Sequence, residues 1–356
     1  MPNPLKIVCL MSMRVIVTFL ASSSATFVQA AQLDFIGVWQ VELMTNPVTK
    51  FLMAIEQNEQ KMQIFVDGSS VVGNIQDRTI AFTLDAYDGG DALRLDDFSG
   101  EFIDGKIVGK YVAEDTGVPG VKGDPVNWEA TPYTPYVSDS TAPPNPELFT
   151  GFWSVGTRGI KKAVTSYTPE GQMVLDNYKD MDDPINRCVN PGLLRTLRVR
   201  GGSPVDLFYE NQVLKMDFPN DIGNAQRYIF LDGREFPETI NPTFMGYSIG
   251  HWEGDVLVVE TRGFRPMYYN SNGAPVSPEA TLTERMWLTS DNSLAREYSF
   301  HDPKYYTRPL TNNGTLTRRE SVVTESYECD PHASYRILDV SGDLPEYFER
   351  AANWRQ

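Results

Sequence analysis

Alternation of apolar with other residues, the two-residue period of a strand, runs through most of the chain. Thr49–Gln57 and Lys61–Val66 flank a turn at Gln57-Asn58-Glu59-Gln60, and Asp67-Gly68 marks another turn. Ser70–Ile75, Thr79–Asp85, Ala92–Asp96, Gly100–Ile103 and Lys106–Val112 continue the pattern, with Asp104-Gly105 as a hairpin turn and Asn127-Trp128-Glu129-Ala130 closing the set. Further on, strands are expected at Val205–Glu210, Leu214–Phe218, Gln226–Leu231, Tyr247–Trp252, Val256–Arg262, Thr281–Thr289, Ser293–His301 and Leu316–Glu328. Short strands at a spacing of about 8–12 residues, separated by turns, predict an all-β fold of antiparallel barrels or sandwiches. Only Asp343–Arg355 reads as a short helix, with Asp343 as its N-cap.

A repeat organises these strands into two domains. Phe35-Ile36-Gly37-Val38-Trp39-Gln40-Val41 returns as Phe149-Thr150-Gly151-Phe152-Trp153-Ser154-Val155. Glycine in a strand marks a bend or a close backbone approach. The Gly-x-Trp opening resembles the first strand of lipocalin-like barrels, and the resemblance implies a barrel beginning at each copy. Between the copies, Thr131-Pro132-Tyr133-Thr134-Pro135 and Pro143-Pro144-Asn145-Pro146 are too rich in proline for a helix or a central strand. This predicts an N-terminal β domain over 31–130, a linker over 131–147, a C-terminal β-barrel domain over 148–340 and a helical tail over 341–356.

Residues 1–30 read as a secretory signal. Lys6 and Arg14 supply positive charge, Val15 to Val28 is apolar or small, and Val28-Gln29-Ala30 fits a cleavage site. No other stretch approaches a membrane span, so no span is expected after cleavage. The net charge of −16 repels phosphate backbones and anionic lipid, which argues against nucleic acid as a partner. The expected location is periplasmic or secreted. Of the three cysteines, Cys188 and Cys329 remain after cleavage. In an oxidising compartment they are expected to bond, the alternative being two separate buried thiols. Neither has a second Cys or His at ligand spacing, and no phosphate loop or dinucleotide fingerprint is present, so no metal and no cofactor is expected.

From Asp183 onward the chain resembles a group of uncharacterised exported bacterial proteins. The likeness is carried by Asp183-Pro184, Cys188, Gly192, Tyr209-Glu210, Asp232-Gly233-Arg234 and Pro237. It continues through Gly246-Tyr247-Ser248-Ile249-Gly250-His251-Trp252-Glu253-Gly254-Asp255 and Val256 to Phe264. Glu284-Arg285, Asp302-Pro303 and Tyr327-Glu328-Cys329 complete it. A His often stands in that group where this chain has Phe236. The resemblance implies a fold and an exported address, and no reaction.

The strands of this block also carry ionisable groups. Either Glu260 or Thr261 must look into a barrel lumen, and Glu297, Ser299 and His301 share one strand face. A carboxylate and an imidazole facing one apolar cavity are the components of acid/base catalysis. The expected catalytic set is therefore His251, Glu260, Glu297 and His301. Tyr209, Arg227, Arg234, Ser248, Trp252, Glu284 and Arg285 are the expected substrate-binding residues. The chemistry this suggests is a cofactor-free isomerase, hydratase or lyase acting on a small hydrophobic or aromatic molecule. A carrier without chemistry, or a secreted interaction scaffold, is the alternative. Ser248 has the Gly-x-Ser-x-Gly spelling of a nucleophile elbow, but its flanks are β on both sides, where the elbow needs a strand-to-helix turn.

Overall fold

The computed structural model describes residues 32–353 except 47, 59–60, 88–92, 115–120, 142, 156–163, 198–204, 220–224 and 321–328. The expected signal at 1–30 lies outside the described residues. The described chain is mostly β and builds two closed barrels, of eight and nine strands.

The first barrel is an antiparallel ring of β1 (Gly37–Leu43), β2 (Thr49–Asn58), β3 (Lys61–Val66), β4 (Ser69–Gln76), β5 (Thr79–Tyr87), β6 (Leu93–Ile103), β7 (Lys106–Val112) and β8 (Val126–Pro132). Strand β8 pairs back onto β1, from Leu43 opposite Trp128 to Trp39 opposite Pro132. Its interior is aromatic. Trp39, Phe51, Phe82, Phe98 and Trp128 are all buried, and the Phe82 and Phe98 rings stack with centroids 4.5 Å apart.

The second barrel runs β10 (Val205–Glu210), β11 (Val213–Phe218), β12 (Ala225–Phe230), β13 (Tyr247–Glu253), β14 (Val256–Arg262), β17 (Thr281–Leu288), β18 (Leu294–His301) and β19 (Leu310–Arg319). It closes through β9 (Gly151–Val155). The short strands β15 (Met267–Tyr268) and β16 (Pro275–Val276) form a separate ribbon. An antiparallel ring alternates direction and so needs an even number of strands. Nine strands force one parallel neighbour pair, which is β12 with β13. The ring is antiparallel at every other step, and residues 231–246 supply the long return a parallel pair needs.

The repeat has a structural cause. Trp39 Nε1 donates to Phe35 O at 2.8 Å, and Trp153 Nε1 donates to Phe149 O at 2.8 Å. Both Phe–Trp pairs are buried, so each motif carries an indole into a core together with the carbonyl that satisfies it. Gly37 and Gly151 between them have φ of +146° and +114°, which a residue with a Cβ rarely adopts.

Hydrogen bonds and an ion pair join the two barrels. The Asp67-Gly68 turn inserts against the second barrel, where Thr311 N donates to Asp67 O at 3.1 Å and Ser166 Oγ to Gly68 O at 2.7 Å. Gly68 has φ of +84°, and a Cβ there would lie 2.0 Å from Pro309 O. Arg308 forks onto Glu56 at 2.6 and 3.0 Å, and Asn313 Nδ2 donates to Gln40 Oε1 at 2.6 Å. The proline-rich segment is a strap, not a spacer. Its first residues, Thr131 and Pro132, belong to β8. Tyr136 then stacks on Trp287 with centroids 4.8 Å apart, Tyr133 donates to Glu297 at 2.7 Å, and Ser138 Oγ accepts from Asp255 N at 3.1 Å.

Helices α1 (Pro169–Asp176) and α2 (Leu193–Leu197) precede β10, and α3 (Pro331–Ser341) and α4 (Leu344–Asn353) end the described chain. A Cys188–Cys329 disulfide ties the α3 end to the segment before α2, and Arg350 pairs with the buried Asp182. Helix α3 was not expected from the sequence, although Asp330 caps it, Pro331 opens it and Gly342 closes it at φ +83°.

Candidate functional site

Register decides which side chains enter the second lumen. Residues directly opposite each other in a ladder share a face. One row runs Gly250, Val259, Glu284 and Tyr298, and the next runs Ser248, Thr261, Leu282 and Phe300. On the other side Leu207, Met216 and Arg227 form a row, and Ile229 pairs with Ser248. All of these are buried, so these rows line the interior.

Within this apolar lining four polar side chains meet. Arg227, Ser248, Thr261 and Glu284 are each at most 2% exposed. Arg227 Nε donates to Ser248 Oγ at 3.0 Å, and Nη2 donates both to Thr261 Oγ1 at 2.9 Å and to Glu284 Oε2. The hydroxyls of Ser248 and Thr261 lie 2.9 Å apart, and Arg227 Nη1 rests 3.6 Å from Met216 Sδ. Glu284 Oε1 is buried without a hydrogen-bond partner. A second guanidinium, that of Arg296, enters from the same inner face. Its Nη2 donates to Leu197 O of α2 at 2.7 Å, and the group lies over the Tyr298 ring. Desolvation holds its pKa below the ordinary arginine value, with the charge of Glu284 opposing the shift. By surface area Arg296 is only partly buried.

The two ends of the lumen differ. At one end Phe264, Met267, Tyr269, Val276 and Tyr306 are buried, and Tyr306 donates to Pro275 O at 2.6 Å. This end is sealed by the β15–β16 ribbon. At the other end the inward residues Tyr209, Leu231, Trp252 and Leu288 pack on the core but are only partly buried. Phe149 meets the Trp252 ring edge-on at 5.3 Å, and Arg318 lies over Trp153 at 4.3 Å.

The chain matches no family model and no curated protein. Two solved structures match over most of its length. One is a protein of unknown function from the DUF3598 family of Nostoc punctiforme, 10% identical, with a TM-score of 0.26, the match covering 81% of this chain and 98% of that one. The other is a Bacteroides fragilis protein assigned provisionally to the outer membrane, 11% identical, with a TM-score of 0.22, covering 81% and 99%. At these scores neither likeness bears on function.

The expected site residues divide by face. Arg227, Ser248 and Glu284 meet in the lumen, and Tyr209 and Trp252 stand at its partly open end. Arg234 and Arg285 lie outside: Arg234 pairs with Asp232 and lies 3.9 Å over Phe230, and Arg285 bonds Glu253 at 2.7 Å. The four residues expected to act together in catalysis are not brought together in the lumen. Glu260 points away from it, paired with Arg262, while its neighbour Thr261 points in. His251 is exposed and lies 3.6 Å from Glu253. His301 is exposed, and Glu297 is held under Tyr133 of the strap, where burial raises its pKa. Among the described residues no group of three or more His, Cys, Asp and Glu is placed to hold a metal ion, and no helix is long and apolar enough to cross a membrane. Arg296 and Tyr298 were missed in the sequence, and Thr261 was named there only as the alternative to Glu260. Arg296 had a readable signal, as the one charge on the Leu294, Tyr298 and Phe300 face.

Proposed function

We propose that this is an exported protein that binds a small molecule in the lumen of its second barrel, without chemistry of its own. The observation that carries the reading is the Arg227–Glu284 pair with its two hydroxyls inside an otherwise apolar lining. A buried ion pair is commonly no more stabilising than well-packed apolar residues of the same volume. A few convergent polar groups in a concave apolar site are what a ligand needs for orientation. The outward positions of His251, Glu260, Glu297 and His301 leave an acid/base mechanism without the groups that suggested it, which favours binding over isomerase or lyase chemistry. The disulfide fits an oxidising compartment.

The test is native mass spectrometry of the mature protein purified from an export-competent host. The wild type is expected to carry a small molecule, and the double variant Arg227→Met/Glu284→Met to lose it while staying folded. A folded double variant that retains the molecule would place the site elsewhere. A wild type that arrives empty and shows no thermal stabilisation by any member of a metabolite library would end the binding reading.

A further inference from the structure

The charges inside the second barrel do not balance. Among the described residues, the inward positions carry Arg227, Arg296 and, at the partly open end, Arg318 opposite Trp153. Arg227 already holds Glu284, and another buried carboxylate, Asp302 beside the β15–β16 ribbon, accepts from Ser277 N and Oγ at 2.7 and 2.8 Å. Arg318 spends its donors on the carbonyls of Thr150 and Leu148, both at 2.6 Å. Arg296 spends one nitrogen on Leu197 O and has no ion pair among the described residues. A cationic interior therefore sits within a chain of net charge −16. Low-dielectric walls focus such a field and select the sign of what enters.

Resting on the lumen reading above, we propose that the ligand is an amphipathic monocarboxylate, its head against Arg296 and its apolar or aromatic body along Tyr209, Leu231, Trp252 and Leu288. The planar guanidinium matches a carboxylate and forms strong charge-assisted bonds to it. Arg296 keeps part of its surface accessible, and a carboxylate head would lie against that part. A single guanidinium with no ion pair of its own among the described residues suits one negative charge better than two. The half-buried rim residues gain burial when an apolar body covers them.

Isothermal titration of the intact mature protein with octanoate, octan-1-ol and octylamine at neutral pH tests the inference. Octanoate is expected to bind more tightly than octanol by on the order of tenfold or more, because a bond to a charged group is replaced by a neutral one. Octylamine is expected to be the weakest. Arg296→Gln, shown to be folded by circular dichroism, should abolish the preference for octanoate over octanol, and Arg296→Lys should retain part of it. Equal affinity for octanoate and octanol in the wild type would overturn the anionic-ligand inference and leave the lumen reading standing. No binding of any of the three, with no co-purifying molecule, would defeat both.

Discussion

Replacing Glu284 by Gln preserves the volume of the side chain and removes the one anionic partner of a guanidinium that is 2% exposed. Arg227 would keep Ser248 Oγ at 3.0 Å and Thr261 Oγ1 at 2.9 Å, but its charge would stand uncompensated in an apolar lining. Stranding one member of a buried pair costs about 3–5 kcal/mol. Arg227→Met strands Glu284 in the same way and falls in the same range. The double variant Arg227→Met/Glu284→Leu removes both charges and refills the space with apolar atoms. Its expected cost is under about 1 kcal/mol, with net stabilisation within reach. The double-mutant cycle, closed by Glu284→Leu alone as the second single variant, should therefore show coupling of roughly 5 kcal/mol or more, well beyond the 0.3–0.5 kcal/mol at which independent sites add. Urea unfolding followed by near-ultraviolet circular dichroism reads all four corners. If each single variant costs less than about 1 kcal/mol and the two add, the pair is solvated and the register that puts it inside the barrel is wrong.

Three further outcomes follow from contacts outside the lumen. Gly68→Ala must accept φ of +84° and a Cβ 2.0 Å from Pro309 O, so it should destabilise the protein by roughly 2–4 kcal/mol, measured by chemical denaturation; an unchanged midpoint would mean the turn is not wedged between the barrels. Cys188→Ser/Cys329→Ser opens a loop closed across a sequence separation of 141 and should lose about 4–5 kcal/mol in the chain-entropy account, with added reductant lowering the wild type towards the variant and leaving the variant unchanged. Burial raises the folded-state pKa of Glu297 above the ordinary carboxylate value, against the opposing bond from Tyr133 and charge of Arg285. Between those two pKa values the native state binds more protons than the unfolded state, so the Glu297 contribution to stability declines as pH rises through that window. Glu297→Gln should remove that decline in melting curves taken from about pH 4 to about pH 8, and a variant whose profile parallels the wild type would separate Glu297 from the effect.

The barrels were legible because their strands are half-buried. From Ala225 to Ile229 buried and exposed residues alternate without a break, and in Lys106–Val112 the Asp104-Gly105 turn before the strand has the positive φ values its composition calls for, 49° and 81°. The pattern says less where an outer wall is covered. Val256, Leu257, Val258 and Val259 are all buried, because the outward residues of β14 are as shielded as the inward ones. A strand buried on both sides loses its period of two. Helix α3 escaped notice for the opposite reason. Its caps were visible, but Ile337 and Val340 are 69% and 90% exposed, so no apolar stripe announced a packed helix.

The same loss of phase explains why the sequence left the face of Glu260 and Thr261 undecided. Glu260 and Thr261 are adjacent on the strand whose apolar residues do not choose a face, so the carboxylate drew the catalytic assignment and the hydroxyl did not. The neighbouring strand held the answer. Leu282, Glu284 and Met286 alternate with Thr283 and Arg285, and the apolar pair marks the core face on which Glu284 must lie. Glu284 pairs with Val259, which fixes Thr261 inside and Glu260 outside. On β18 the polar side chains of Glu297, Ser299 and His301 looked functional because they shared a face, yet a face so polar belongs outside, and Leu294 and Phe300 mark the inner one. An isolated charge on an apolar face is therefore the more informative signal in a barrel of this kind. Arg227 between Ala225 and Ile229, Glu284 between Leu282 and Met286, and Arg296 between Leu294 and Tyr298 all meet that criterion, and the structure gathers all three in one lumen.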